Sequence, residues 1–129
     1  MTFDWVEYLN LAETLQRERT TLGNVEACQR SAISRAYYAA YMTAANKAKA
    51  EGLITSGREQ HKKVRLHYTN APDMQRKRIG TWLQRLKDNR EKSDYENTVS
   101  EVGKLTELSL DEANKPSATN VWNSRSAVS

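Results

Sequence analysis

The basic residues of this chain are concentrated in one stretch. Residues 57–92 contain eleven Lys or Arg and four Asp or Glu, which gives that stretch a charge of +7 within a chain of net charge +4. A basic block on a nearly neutral body predicts an anionic partner, nucleic acid first, with a solvated helix face as the alternative. The cations predicted to contact nucleic acid are Arg58, Lys62, Lys63, Arg76, Lys77 and Arg78.

The residue sets that most other chemistries need are missing from the sequence. A single cysteine, Cys28, excludes an internal disulfide and a cysteine zinc cluster, and it is predicted to be a small buried residue on a helix. The sequence contains no spaced metal ligands, no phosphate-binding glycine loop and no nucleophile elbow. We therefore expect neither a metal nor a cofactor.

The length and composition fit one globular domain. The chain has 129 residues, of which 38% are hydrophobic and 28% are charged. We expect the domain to span residues 1–115, followed by a partly flexible segment over 116–129. No apolar run approaches the roughly 20 residues that cross a bilayer, and residues 1–5 lack the features of a secretory signal. The expected location is cytoplasmic, without a membrane partner.

Residue spacing predicts an all-α fold. The prolines come late, strand alternation is absent, and helix-favouring residues dominate. A first helix is predicted over 4–19, opened by the capping-box spacing of Asp4 and Glu7. A long second helix is predicted over 24–51. Because it carries small and aromatic residues on more than one face, it should be central, with neighbours on two or three sides.

Two further helices are predicted in the basic stretch. Ser56 and Glu59 have capping-box spacing and should open a third helix over 57–68. A fourth helix is predicted over 72–91, with Pro72 at its first position.

The signal for a last helix is weaker. Ser109 and Glu112 could cap a fifth helix, which Pro116 should break after about two turns. These patterns together predict a four- to five-helix bundle.

Three pieces of the sequence resemble the small bacterial HEPN domains, especially the short stand-alone type. Residues 34–41 read SRAYYAAY in the long second helix, His61 opens the next helix, and residues 90–95 read REKSDY, similar to the R-x-x-(A/S)-D-Y element of that type. The resemblance covers roughly residues 5–95, and its first motif is the most specific.

The resemblance implies a helical bundle that pairs into a homodimer. Active family members cleave RNA without a metal in the cleft between two protomers, using an arginine followed after four to six residues by a histidine. Many act beside a nucleotidyltransferase as toxin and antitoxin, and others bind nucleotides or RNA without activity. Here Arg90 matches the arginine, but no histidine follows it.

Metal-free RNA cleavage needs a base, a cation that stabilises the phosphorane and an acid. The planar fork of arginine grips two phosphate oxygens, so Arg90 is the candidate cation. His61 is the candidate substitute imidazole, provided that its helix faces the same cleft, and Tyr95 is a poorer candidate because tyrosine titrates near 10. The alternatives are an Arg90 that pairs with Asp94 at a helix C-terminus and an exposed His61. His67 is expected to be a packing or surface residue.

Other residues of the same motifs are predicted to have structural roles. Arg35 lies among small and aromatic residues of the central helix, and a buried arginine needs a carboxylate, for which Asp94 is the candidate. Tyr37, Tyr38 and Tyr41 should be core or dimer-interface residues, with a base-stacking platform as the alternative.

These features lead to three functional hypotheses. The first is an HEPN-like module that binds nucleotide or RNA, in a toxin–antitoxin or defence context with a nucleotidyltransferase-type antitoxin as partner. The second is a metal-independent ribonuclease toxin that uses Arg90 with a substitute acid or base. The third is a helical protein–protein adaptor.

Overall fold

The computed structural model describes residues 2–53 and 57–118, and this part of the chain is all-helical, as expected. Five longer helices and one single turn account for the predicted bundle. None of them is long and apolar enough to cross a membrane. The helices are α1 (Val6–Arg17), α2 (Arg19–Leu22), α3 (Val25–Ala50), α4 (Gln60–Thr69), α5 (Met74–Tyr95) and α6 (Val102–Ala118).

The first predicted helix is divided in two. The longer helix α1 ends at Arg17, and α2 follows as a separate turn. The predicted capping box is replaced by a simpler turn, in which Asp4 Oδ1 accepts from the backbone N–H of Val6 at 3.1 Å. Gly23 ends α2 with a φ of 102°, a conformation that glycine adopts without a steric cost.

The long helix α3 is central, as the sequence predicts. It packs mainly against α1, α5 and α6 and to a lesser extent against α4. Seven alanines of α3 are buried and bring neighbouring backbones close, while Ile33 and Tyr37 fill the remaining space. The apolar surplus of this helix is therefore used within one protomer.

Helix α4 begins later than the sequence predicts. Glu59 has a left-handed φ of 58°, so the helix begins at Gln60. Ser56, the other half of the predicted capping box, lies outside the described residues. Helix α4 lies close against α5, and Gly80 permits this approach, since a Cβ at that position would be only 2.9 Å from the backbone nitrogen of Thr69.

Helix α5 is displaced towards the C-terminus relative to the prediction. Asp73, rather than a residue before Pro72, is the N-cap, and its side chain accepts from the backbone N–H of Gln75 at 2.9 Å. The helix continues to Tyr95. The REKSDY element therefore lies in the last turns of a helix, where residues four apart share a face.

The last helix is longer than predicted. Helix α6 begins at Val102, and Ser109 is a buried residue inside it whose hydroxyl donates to the Leu105 carbonyl at 2.8 Å. Its buried face is partly polar, so a pattern of apolar residues does not reveal it. Pro116 lies within the helix, which continues to Ala118. Most of the predicted flexible segment, residues 119–129, lies outside the described residues.

Candidate functional site

Arg90 lies in the last turns of α5, against the aromatic face of α3. Its guanidinium carbon is 5.2 Å from the ring centroid of Tyr37 and 5.6 Å from that of Tyr38. Its Nη1 is 3.3 Å from Asp94 Oδ2, one turn later on the same helix. Within the described residues, its buried Nε has no hydrogen-bond partner. The tyrosines stabilise the cation through their ring faces, while part of its hydrogen-bonding capacity remains unused.

His61 lies in the first turn of α4 and meets the same tyrosines. Its ring is stacked on Tyr41, with centroids 3.9 Å apart and planes 10° apart. Its Nδ1 is in a short hydrogen bond with the hydroxyl of Tyr37. Both His61 and Arg90 therefore contact Tyr37, and the tertiary fold brings the candidate imidazole and the candidate cation into one cluster.

Both partners of that hydrogen bond are held in their neutral forms. Burial raises the pKa of Tyr37 well above its ordinary value of 10.0. Burial, followed by the positive charges of Arg90 and Arg65, lowers the pKa of His61 below 6.5. The Tyr37 hydroxyl and His61 Nδ1 share this hydrogen bond, and which of the two donates depends on the tautomer of the neutral imidazole.

Tyr95 stands at the open side of this cluster. Its residue surface is 75% exposed, and its ring centroid is 6.0 Å from the guanidinium carbon of Arg90. An exposed aromatic ring beside a guanidinium offers a base a surface to stack on and a phosphate a cation.

Arg30 of α3 holds the end of α5 in place, a role that the sequence did not suggest. Its Nη1 donates to the carbonyls of Ser93 at 3.1 Å and Glu96 at 2.6 Å, and its Nη2 donates to that of Asn97 at 3.3 Å. Its Nε donates to Glu26 at 2.9 Å, which fixes the guanidinium. The only sequence signal was the four-residue spacing of Glu26 and Arg30, which is common on exposed helices.

The predicted bridge between Arg35 and Asp94 is replaced by other contacts. Asp94 pairs with Arg90 and accepts from the Ser34 hydroxyl at 3.4 Å. Arg35 lies over the ring of Tyr8, 4.9 Å from its centroid. The reason is geometric, because Asp94 lies inside α5, one turn from Arg90 and on the same face.

The predicted nucleic-acid contacts divide into exposed and buried residues. Arg76 is not available to RNA, because its side chain is only 4% exposed and makes a short ion pair with Glu51 at the end of α3. His67, predicted to be a packing or surface residue, is 3.1 Å from the same carboxylate and packs edge-on against Tyr68. The other five predicted cations are exposed: Arg58, Lys62, Lys63, Lys77 and Arg78.

The site thus combines a guanidinium, a neutral imidazole and several phenol rings. The described residues contain no group of three or more His, Cys, Asp or Glu side chains that could hold a metal ion. Comparison of the chain with protein-family models, curated proteins and solved structures found no match.

Proposed function

We propose that this chain is an HEPN-like module that binds single-stranded RNA or a nucleotide at Arg90 and Tyr95. The observation that carries the proposal is the exposed ring of Tyr95 beside the guanidinium of Arg90. Stacking on an aromatic ring is favourable for any base, and a guanidinium contacts a phosphate through two donors.

The rigidity of the site also supports binding. Arg90 is held by Asp94 and two ring faces, and Arg30 fixes the end of the helix that carries both proposed ligand contacts. Groups that are ordered before binding lose little conformational entropy when a ligand arrives. A ligand phosphate would compete with Asp94 for Arg90, so binding should be moderate and salt-dependent.

Fluorescence anisotropy with a labelled oligouridylate tests this proposal. Tyr95→Ala should weaken binding about tenfold, as expected for the loss of one stacked base, whereas Tyr95→Phe should keep most of the affinity. Lys104→Ala removes an exposed cation of α6 and serves as the control for a general charge effect. Equal affinity of the wild type and Tyr95→Ala would exclude Tyr95 as the stacking surface.

Metal-independent RNA cleavage is the second candidate, favoured by the contact that His61 and Arg90 share with Tyr37. The hydrogen bond leaves only Nε2 of His61 to exchange a proton with RNA, because Nδ1 is occupied by the tyrosine hydroxyl. The tautomer decides whether Nε2 would act as the acid or as the base. Cleavage of labelled RNA in the presence of a chelator, lost in both His61→Ala and Arg90→Lys, would establish this function over simple binding.

The HEPN resemblance also implies a homodimer and a nucleotidyltransferase-type partner, and we retain both as proposals. Because most of the apolar residues of α3 are covered within one protomer, a dimer would have to use another surface, such as the exposed Phe3 and Leu22. Light scattering should give about twice the 14.7 kDa of the chain. A mass of one chain at micromolar concentration would contradict the dimer without affecting the proposed binding site.

A further inference from the structure

A groove runs between α4 and α5, beside the Arg90 cluster. Its volume is about 510 Å³. Gly80 lets the two helices approach closely along the groove, since a Cβ there would collide with Thr69. Leu66 lies along the groove and is 43% exposed, although it is a large apolar residue. The groove therefore offers an apolar surface that one aliphatic side chain could cover.

Cations line this apolar surface. Lys62 and Arg65 belong to α4, and Arg85 belongs to α5. Arg85 is 3.1 Å from Glu112, but its side chain remains 58% exposed. None of the described residues that line the groove is a carboxylate. A partner that carries negative charge on both sides of an apolar side chain would complement this arrangement.

We propose that this groove docks an acidic amphipathic segment of a partner protein. A leucine-sized side chain of the partner would cover Leu66, and the partner's carboxylates would meet Lys62, Arg65 and Arg85. This is the helix-in-groove or peptide-in-groove mode, in which apolar anchors contribute affinity and charges select the partner. The inference is independent of the proposed RNA site.

Other occupants fit the groove less well. Nucleic acid would find cations but none of the aromatic rings on which bases stack, since the described lining residues include none. A second copy joined through the same groove by a two-fold axis would place like charges opposite each other. The chain's own residues 119–129 contain no Asp or Glu to complement the cations.

Nuclear magnetic resonance titration with a synthetic amphipathic peptide of leucines and glutamates tests the proposal. The backbone amide signals of Leu66, Thr69 and Gly80 should shift most. Lys62→Glu and Leu66→Glu, both at exposed positions, should each weaken binding by about tenfold or more. Lys104→Glu makes the same charge change outside the groove and should bind like the wild type.

Two comparison ligands make the test decisive. A peptide with glutamine in place of every glutamate should bind at least about tenfold more weakly. An oligouridylate should shift signals near Tyr95 and leave those of the groove unchanged. Absence of peptide binding, equal binding of the glutamine peptide, or groove shifts caused by the oligouridylate would each overturn the proposal. Peptide shifts with no oligouridylate binding would support the groove and reject the RNA site.

Discussion

Arg76 and Arg90 lie towards opposite ends of α5 in similar surroundings, yet their carboxylate partners come from different elements. The guanidinium carbon of Arg76 is 5.1 Å from the ring centroid of Tyr68, and that of Arg90 is 5.2 Å from Tyr37. Each arginine also has a carboxylate partner and a histidine nearby. Similar residue types thus surround two cations of one helix.

The source of the carboxylate distinguishes the two sites. Glu51 caps the end of α3, so its pair with Arg76 joins two helices and closes over the cation. Asp94 belongs to α5 itself, so its pair with Arg90 lies within that helix, with a longer contact from Ser34 of α3, and the exposed Tyr95 stands beside it. A partner from another element makes the ion pair a tie between two helices, whereas a partner one turn away does not, and the side chain of Arg90 is 12% exposed against 4% for Arg76.

The largest effect is expected from breaking the tie at Arg76. Glu51→Gln leaves a buried guanidinium without its charge partner, which should lower the free energy of unfolding by about 3 kcal/mol. Urea denaturation measures this change. Arg76→Met, which removes the charge together with its need for a partner, should cost less. A Glu51→Gln protein as stable as the wild type would show that the two arginine sites do not differ as described.

A smaller effect on stability but a large one on binding is expected at Arg90. Arg90→Ala should reduce affinity for an oligouridylate about tenfold or more, because the phosphate loses its two-donor partner. Arg76→Met should leave that affinity unchanged. Anisotropy of both variants, with circular dichroism as a check on folding, separates the two roles. The reverse ranking would contradict the proposed binding site.

The two sites should also be separated by pH. Because the pKa of His61 is lower in the folded chain than in the unfolded chain, the unfolded chain takes up the imidazole proton at a higher pH than the folded chain. The folded state is therefore fully stable with respect to His61 above pH 6.5, and its free energy of unfolding declines as the pH falls below 6.5. Although burial opposes the shift, hydrogen bonds from His67 and Arg76 lower the pKa of Glu51 from 4.5. The contribution of the ionised Glu51 to the free energy of unfolding is therefore complete above pH 4.5 and is lost as the pH falls below 4.5.

Urea denaturation at a series of pH values should show two declines in the free energy of unfolding, an upper step that begins below pH 6.5 and a lower step that begins below pH 4.5. His61→Gln should remove the upper step and leave the lower one, and Glu51→Gln should do the opposite. A single step that neither variant changes would mean that other groups govern the pH dependence.

The smallest effect is expected at Asp94. Asp94→Asn removes a pair within one helix whose carboxylate is 30% exposed, so the free energy of unfolding should fall by about 0.5 to 1 kcal/mol, less than for Glu51→Gln. The same variant should strengthen oligouridylate binding slightly, since a competing carboxylate is gone. If Asp94→Asn lowered the free energy of unfolding as much as Glu51→Gln does, Arg90 would have a structural role like that of Arg76.

The sequence predicted the helices whose signals are local. The boundaries of α3 follow from Asn24 before it and Gly52 after it, and its alanines and tyrosines correctly indicated a central helix. The prediction was wrong where the signal was not local. The helix α6 is buried partly through Ser109 and Glu112, whose partners Asn89 and Arg85 lie on α5. An apolar periodicity does not register such polar pairs.

The candidate site depended on tertiary structure even more. From the sequence, His61 and Arg90 were candidates, but only the packing of α4 and α5 against α3 joined them through Tyr37. Arg30 was missed because its main partners are backbone carbonyls far along the chain.

By itself, the sequence determined that this chain is helical, that one helix is central and that the cations lie in one stretch, because these are properties of composition and spacing. Only the tertiary structure decided that Arg76 is buried and that Arg90 lies beside an exposed ring. The physical reason is that the energy of a charge depends on the groups and solvent around it. For Arg76 those groups are brought from the end of α3, at a distance along the chain that no local pattern records.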